Sequence, residues 1–280
     1  MRIPTTRAHG HYAKSAGERR PLRDTRCMNS APVLDARGLQ KRFGDIQAVA
    51  GIDLAVAPGE RVALLGPNGA GKTTTLLMLL GVIEPDEGSV TICGHPLARA
   101  RSAAMSHVGF AAGYLPLPDS LTVVEVLEMF GDLYGVADPH ATAAEAVARF
   151  NIAHIANRRC DNLSSGQRTV VGLAKAALHN PDLVVLDEPT ASLDPAVADR
   201  VRGVLETTTG PGAAALLITS HDMSEIERLA DRVLFLLNGR VALSGSPAEV
   251  VAAQGADGLA ELFIEMAAKN AGDDGWGVEA

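Results

Sequence analysis

From residue 33 the apolar and polar positions alternate with strand period over 33–39 and 48–56, on either side of a turn at 43–45. Pro58-Gly59 closes the second run. A short apolar run, Arg61–Leu65, then passes without a break into a glycine-rich loop and a helical stretch to residue 80, giving the order strand, loop, helix. Between about 100 and 180 the chain is Ala-rich and reads as a helical block, in which Thr122-Val123-Val124-Glu125 is a capping box starting a helix toward Tyr134. Strands are predicted again at 183–186, Ala215–Thr219 and 233–237, separated by helices at Pro195–Thr208 and 223–230. Strands alternating with helices predict an α/β fold on a parallel sheet. There is no internal repeat, and the Gly- and Asp-rich tail from Asn270 to Ala280 is expected to fray.

The loop between the third strand and the first helix reads Gly66-Pro67-Asn68-Gly69-Ala70-Gly71-Lys72-Thr73, followed by Thr74. Glycines at this spacing let backbone N–H groups turn inward around phosphate oxygens, and the helix that follows presents its positive end to them. Lys72 would neutralise the β and γ phosphates, Thr73 would offer its hydroxyl to Mg²⁺, and Thr74 would lie near the α phosphate. The run 183–186 ends in Asp187-Glu188, two carboxylates at the carboxyl end of a buried strand, where ligands sit in open α/β sheets. Asp187 would hold the Mg²⁺ shell and Glu188 would polarise the attacking water. In Leu163-Ser164-Ser165-Gly166-Gln167, Ser164 reads as the N-cap of a helix and so as a second anion site.

Phosphate loop, serine-glycine pentad, strand-end acids, Ser192-Leu193-Asp194 and a lone His221 after a strand, in that order, resemble the ATP-binding cassette (ABC) transporter ATPases over about residues 33–265, most closely the exporter subunits of the drug-resistance type. The resemblance implies a P-loop NTPase with a RecA-like parallel core, an antiparallel β edge and a helical subdomain inserted at about 113–181. It implies ATP and Mg²⁺ as cofactors and ATP hydrolysis as the activity. It also implies that Phe43 stacks on adenine, Asp194 meets a partner subunit, and His221 reaches the γ phosphate. Two such chains would pair head to tail, as a homodimer, so that ATP lies between residues 66–73 of one and Ser164, Ser165, Gly166 and Gln167 of the other. A separate membrane permease would carry the cargo, with this chain bound at the cytoplasmic face. Two positions depart from the family: Gly113 stands where a glutamine follows the strand aligned to Val108-Gly109-Phe110, no glutamine occurs between Gln47 and Gln167, and Ser165 replaces a glycine.

Composition changes this picture only at its edges. A chain of 280 residues, 47% hydrophobic and 4% aromatic, suits close-packed helices and buried parallel strands. Its apolar runs are far shorter than a membrane-spanning helix needs. The three cysteines, Cys27, Cys93 and Cys160, show no paired spacing for zinc or a disulfide framework. Residues 1–27 hold seven basic residues against two acids, a local +5 in a chain of net −8, so the remainder carries −13. Residues 1–32 are thus expected to form a disordered basic extension, with Met28 an alternative start, before the cassette at 33–250 and a C-terminal helix and acidic tail at 251–280. An acidic cassette without a basic linker or a second cassette argues against the competing reading, a soluble ATPase acting on ribosomes or DNA. A third reading, a nucleotide-binding module with weakened catalysis, rests on Gly113.

Overall fold

The computed structural model describes residues 31–113, 115–191 and 193–273, with side chains to Ala268; the basic segment 1–27 and Ser192 lie outside the described residues. The first two strands, β1 (Leu34–Phe43) and β2 (Ile46–Val56), fold back at Gly44-Asp45 into an antiparallel hairpin. β3 (Arg61–Leu65) leads into α1 (Lys72–Leu79). Next come β4 (Glu87–Ile92), the two-residue β5 (His95–Pro96), α2 (Leu97–Met105) and β6 (Val108–Ala112). The helical block is α3 (Val123–Tyr134), α4 (Pro139–Arg149) and α5 (Ser165–Ala177). The chain then re-enters the core through β7 (Leu183–Asp187), α6 (Pro195–Thr208), β8 (Ala215–Thr219), α7 (Met223–Leu229), β9 (Arg232–Leu237) and β10 (Arg240–Gly245). It ends in α8 (Pro247–Gln254) and α9 (Leu259–Asp273).

Two sheets result. One is antiparallel, in the order β2-β1-β4-β5; the other runs β10-β9-β3-β8-β7-β6 and is parallel except for β10. Strand parity explains how they stack. In the central strands Val62, Leu64, Leu183, Val185 and Leu217 pack toward the antiparallel sheet, while Ala63, Leu65, Val184, Leu186, Leu216 and Ile218 pack toward the helical block and the C-terminal helices. Strands buried on both faces need apolar residues at both parities, hence the continuous runs in the sequence. Each fully buried Leu or Val is worth about 1.5–3 kcal/mol relative to exposure, so these strand ends form a stiff platform.

The capping box at Thr122 forms as expected: its N–H donates to Glu125 Oε2 at 2.7 Å and its Oγ1 accepts from the Glu125 N–H. The block at 100–180 is not wholly helical, because β6 is a core strand paired with β7. Gly109 is what admits it: a Cβ there would run into the carbonyl oxygen of Ala176 on α5. α9 continues through Asp273, into the segment expected to fray, on a helix-favouring Met266-Ala267-Ala268-Lys269 run; residues 274–280 lie outside the described residues. Cys160 is buried and free, and Cys27 lies outside the described residues. No helix among the described residues is long and apolar enough to cross a membrane.

Candidate functional site

The loop from Gly66 to Lys72 sits at the carboxyl end of β3, and at Gly66 and Gly71 it passes too close to other backbone to admit a side chain. Gly66 has φ 145° and Gly71 φ 97°; a Cβ at Gly66 would strike the carbonyl oxygen of Leu236, and one at Gly71 that of Ala48. Only glycine combines this dihedral with so close an approach. Gly71 is also the N-cap of α1, which has no side-chain cap, so the first-turn N–H groups are left to a ligand. Lys72 folds its ammonium back into the loop, donating to the carbonyls of Gly66 at 2.6 Å and Pro67 at 3.0 Å. It is 9% exposed. Burial lowers its pKa below the usual lysine range, and the nearby carboxylates of Glu188 and Asp187 oppose that shift. Thr73 is exposed on the first turn, Thr74 half-buried, and Thr75 donates its hydroxyl to the Gly71 carbonyl at 2.8 Å.

Asp187 and Glu188 reach the same place from β7. Since β8 lies between β3 and β7, the residues that follow it also converge there. Asp187 is buried and its Oδ1 accepts from Thr219 Oγ1 at 2.6 Å. The same Thr219 receives the Glu188 N–H, at 3.0 Å on its hydroxyl and 3.1 Å on its carbonyl. These bonds hold Glu188 at φ 48°, a left-handed conformation that costs a non-glycine residue on the order of 1–2 kcal/mol. The turn aims its side chain outward, where Glu188 Oε1 lies 2.8 Å from His221 Nε2. The Phe263 ring, from α9, packs perpendicular to the His221 imidazole, with 6.1 Å between centroids.

The other sequence-derived residues lie in three further places. Ser164 caps α5 in a capping box: its Oγ accepts from the Gln167 N–H at 3.3 Å and Gln167 Oε1 accepts from its N–H at 3.1 Å. Ser165 opens that helix, and Gly166 passes so near Val197 that a Cβ would stand 2.6 Å from its methyl carbon. Asp194 caps α6, with Oδ1 accepting from Ala196 and Val197 at 3.1 Å each. Phe43, at the tip of the β1–β2 hairpin, is 47% exposed, the position of a contact surface rather than a core ring. Gly113 follows β6 and donates its N–H to the Asp187 carbonyl at 3.3 Å. It borders a cavity of about 260 Å³ that Leu115, Pro116, Arg168 and Lys175 also line. Thr219 escaped the sequence reading because a threonine ending a strand carries no distinguishing pattern.

Strand, phosphate loop and helix, with carboxylates and a histidine on neighbouring strand ends, define a P-loop ATPase cassette. The model of the family described as "ABC transporter" matches residues 49–191, and the chain belongs to that family. It is similar to the "Nod factor export ATP-binding protein I" of Burkholderia lata, 37% identical over 84% of this chain and 78% of that protein. The protein of the same name from Ralstonia nicotianae is 36% identical over 80% of this chain and 70% of its own. Among solved structures, an ATP-binding subunit of an ABC transporter is 26% identical with TM-score 0.72, covering 84% of this chain and 99% of that one. Another is cbiO1 from Clostridium perfringens, part of the transporter complex cbiONQ, 27% identical with TM-score 0.70 over 80% and 92% of the two chains. The chain is the ATP-binding and ATP-hydrolysing subunit of an ABC transporter.

Proposed function

We propose that each ATP is held by residues 66–74 of one chain and residues 164–167 of a second, identical chain, and is cleaved with Glu188 and His221 in the roles of base and γ-phosphate sensor. The observation that carries this reading is the convergence of Lys72, Asp187, Glu188 and His221 at the carboxyl ends of β3, β7 and β8. The loop fits a triphosphate: Gly66 and Gly71 exclude side chains, the helix start is uncapped, and the Lys72 ammonium has two carbonyls, among the described residues, to exchange for phosphate oxygens. The Thr73 hydroxyl and the Asp187 carboxylate form a hard oxygen donor set suited to Mg²⁺. Bound there, Mg²⁺ would supply charge neutralisation at the β and γ phosphates. Glu188 accepts the proton of the attacking water, and His221, whose Nε2 lies 2.8 Å from its Oε1, stands beside that carboxylate. The pentad's capping box takes the N–H groups of Ser164 and Gln167, so those of Ser165 and Gly166 are the ones at this helix start that another chain's nucleotide would meet. Binding that is tight only in the closed pair makes closure depend on the γ phosphate.

A membrane permease is the partner that gives hydrolysis a use, and export at the cytoplasmic face is the direction supported by relatives named for Nod factor export. The cavity beside Gly113 is placed to receive it, between the strand that ends next to Asp187 and the helical block. A glutamine at 113 would fit: Gly113 needs no left-handed φ, and a Cβ would stand 3.3 Å from the Glu188 carbonyl oxygen, a contact relieved by a small shift. Gly113→Gln is expected to raise steady-state ATP turnover several-fold, within the roughly 10-fold that an added outer-shell partner of a metal supplies. Unchanged turnover and unchanged permease stimulation would remove Gly113 from the account. Phe43→Ala is expected to weaken ATP binding about tenfold and Phe43→Trp to preserve it, as loss of a stacking contact implies; titration calorimetry with ATP decides it.

A further inference from the structure

One acid behind the site has no part in the chemistry above. Glu225 stands in the first turn of α7, where an acidic residue ordinarily faces water and complements the helix dipole, yet it is 0% exposed. Its Oε2 accepts two hydroxyl hydrogen bonds, from Ser220 Oγ at 2.6 Å and from Thr190 Oγ1 at 2.8 Å. Both donors are themselves buried, at 5% and 8% exposure. Among the described residues Oε1 has no partner. A carboxyl kept dry with half its acceptors idle is costly, and is tolerated only where its remaining bonds are well made. Burial pushes its pKa up, while the two hydroxyls pull it down by favouring the charged form.

The two hydroxyls belong to different loops of the site. Thr190 follows Glu188 by two residues, and Ser220 immediately precedes His221. Ser220 is itself fixed, because its Oγ accepts the Asp222 N–H at 3.0 Å and therefore turns its proton toward Glu225. We propose that Glu225 is a positioning residue for hydrolysis: by gathering Thr190 and Ser220 onto one carboxylate oxygen it sets the spacing of the Glu188 and His221 loops, and so the 2.8 Å contact between those side chains. The inference rests on the roles given to Glu188 and His221 above. It predicts that Glu225 acts on turnover and leaves ATP binding alone, since it touches nothing in the phosphate loop.

The test measures kcat and ATP affinity on the full chain for Glu225→Gln, Glu225→Leu, Thr190→Val, Ser220→Ala and Glu188→Gln. Glu225→Gln keeps an acceptor oxygen and should stay near the wild-type kcat. Glu225→Leu should lose about 10- to 100-fold in kcat with ATP affinity retained, the size of loss that follows from misplacing a reacting group by about 1 Å. Should Glu225→Leu fail to fold, Thr190→Val and Ser220→Ala each remove one strut, should each lower kcat, and should be non-additive together because they share one oxygen. Wild-type turnover in folded Leu, Val and Ala variants overturns the proposal, as does a glutamine as damaging as leucine, or a loss of ATP affinity matching the loss of kcat. Glu188→Gln separates the two levels. If it hydrolyses ATP at the wild-type rate the underlying role of Glu188 fails, whereas if it is inactive and Glu225→Leu is fully active only the present inference fails.

Discussion

Glu188→Gln is expected to lower ATP turnover by about 10²- to 10⁴-fold, the range supplied by a positioned general base, while leaving ATP affinity nearly unchanged. The split follows from where the residue sits. Glu188 lies past the end of β7, its backbone bound to Thr219 and its side chain turned out to His221, while the phosphate loop is built from β3 and α1. Glutamine preserves the size of the side chain and its ability to accept from His221, but takes no proton from water at neutral pH. A variant that neither binds ATP nor turns it over would show instead that Glu188 holds the loop together. Steady-state phosphate release and a nucleotide titration, run on the same preparation, separate these outcomes.

Lys72→Ala should have the second large effect, and on the other parameter: a rise in the ATP dissociation constant of about 10- to 100-fold, the worth of a charge-assisted hydrogen bond in a buried setting. Lys72 is almost wholly buried, and its acceptors among the described residues are the carbonyls of Gly66 and Pro67, which phosphate oxygens outcompete as ligands for an ammonium. Lys72→Arg should not rescue it, because a rigid planar fork cannot place its donors where the compact ammonium reaches the Gly66 and Pro67 carbonyls. The melting temperature of the nucleotide-free chain should change little, since the two lost carbonyl bonds are offset by removing a cation that burial disfavours. A large fall would reassign Lys72 to structure.

How much of this was legible in the sequence depended on whether a residue's job leaves a local pattern. Ala215–Thr219 and Pro195–Thr208 were bounded correctly, because a five-residue apolar run and a proline-started helix are strong signals. The phosphate loop was legible because backbone geometry dictates its glycines. By contrast β4, β5, α2 and β10 went unread: β4 opens on Glu87-Gly88-Ser89, α2 carries a non-helical residue at Ala100, and β10 buries none of its residues, so none shows as a continuous apolar run. β6 lies in an Ala-rich block whose pattern reads as helical, and only the family resemblance marked Val108-Gly109-Phe110 as a strand, which its pairing with β7 bears out. Thr190 lies 35 residues from Glu225, and its link to Thr219, Ser220 and Glu225 exists only once β7 and β8 lie side by side; a glutamate in the first turn of a helix reads as an ordinary dipole partner.

The central claim is that one chain carries half of each ATP site. Light scattering of the Glu188→Gln chain, with and without ATP, tests it most directly. The account predicts a species of twice the monomer mass with ATP, a monomer with ADP or without nucleotide, and loss of the ATP-dependent dimer when Ser165→Arg is added to block the α5 helix start. A chain that binds ATP tightly and remains monomeric would contradict the account and return the whole site to a single subunit.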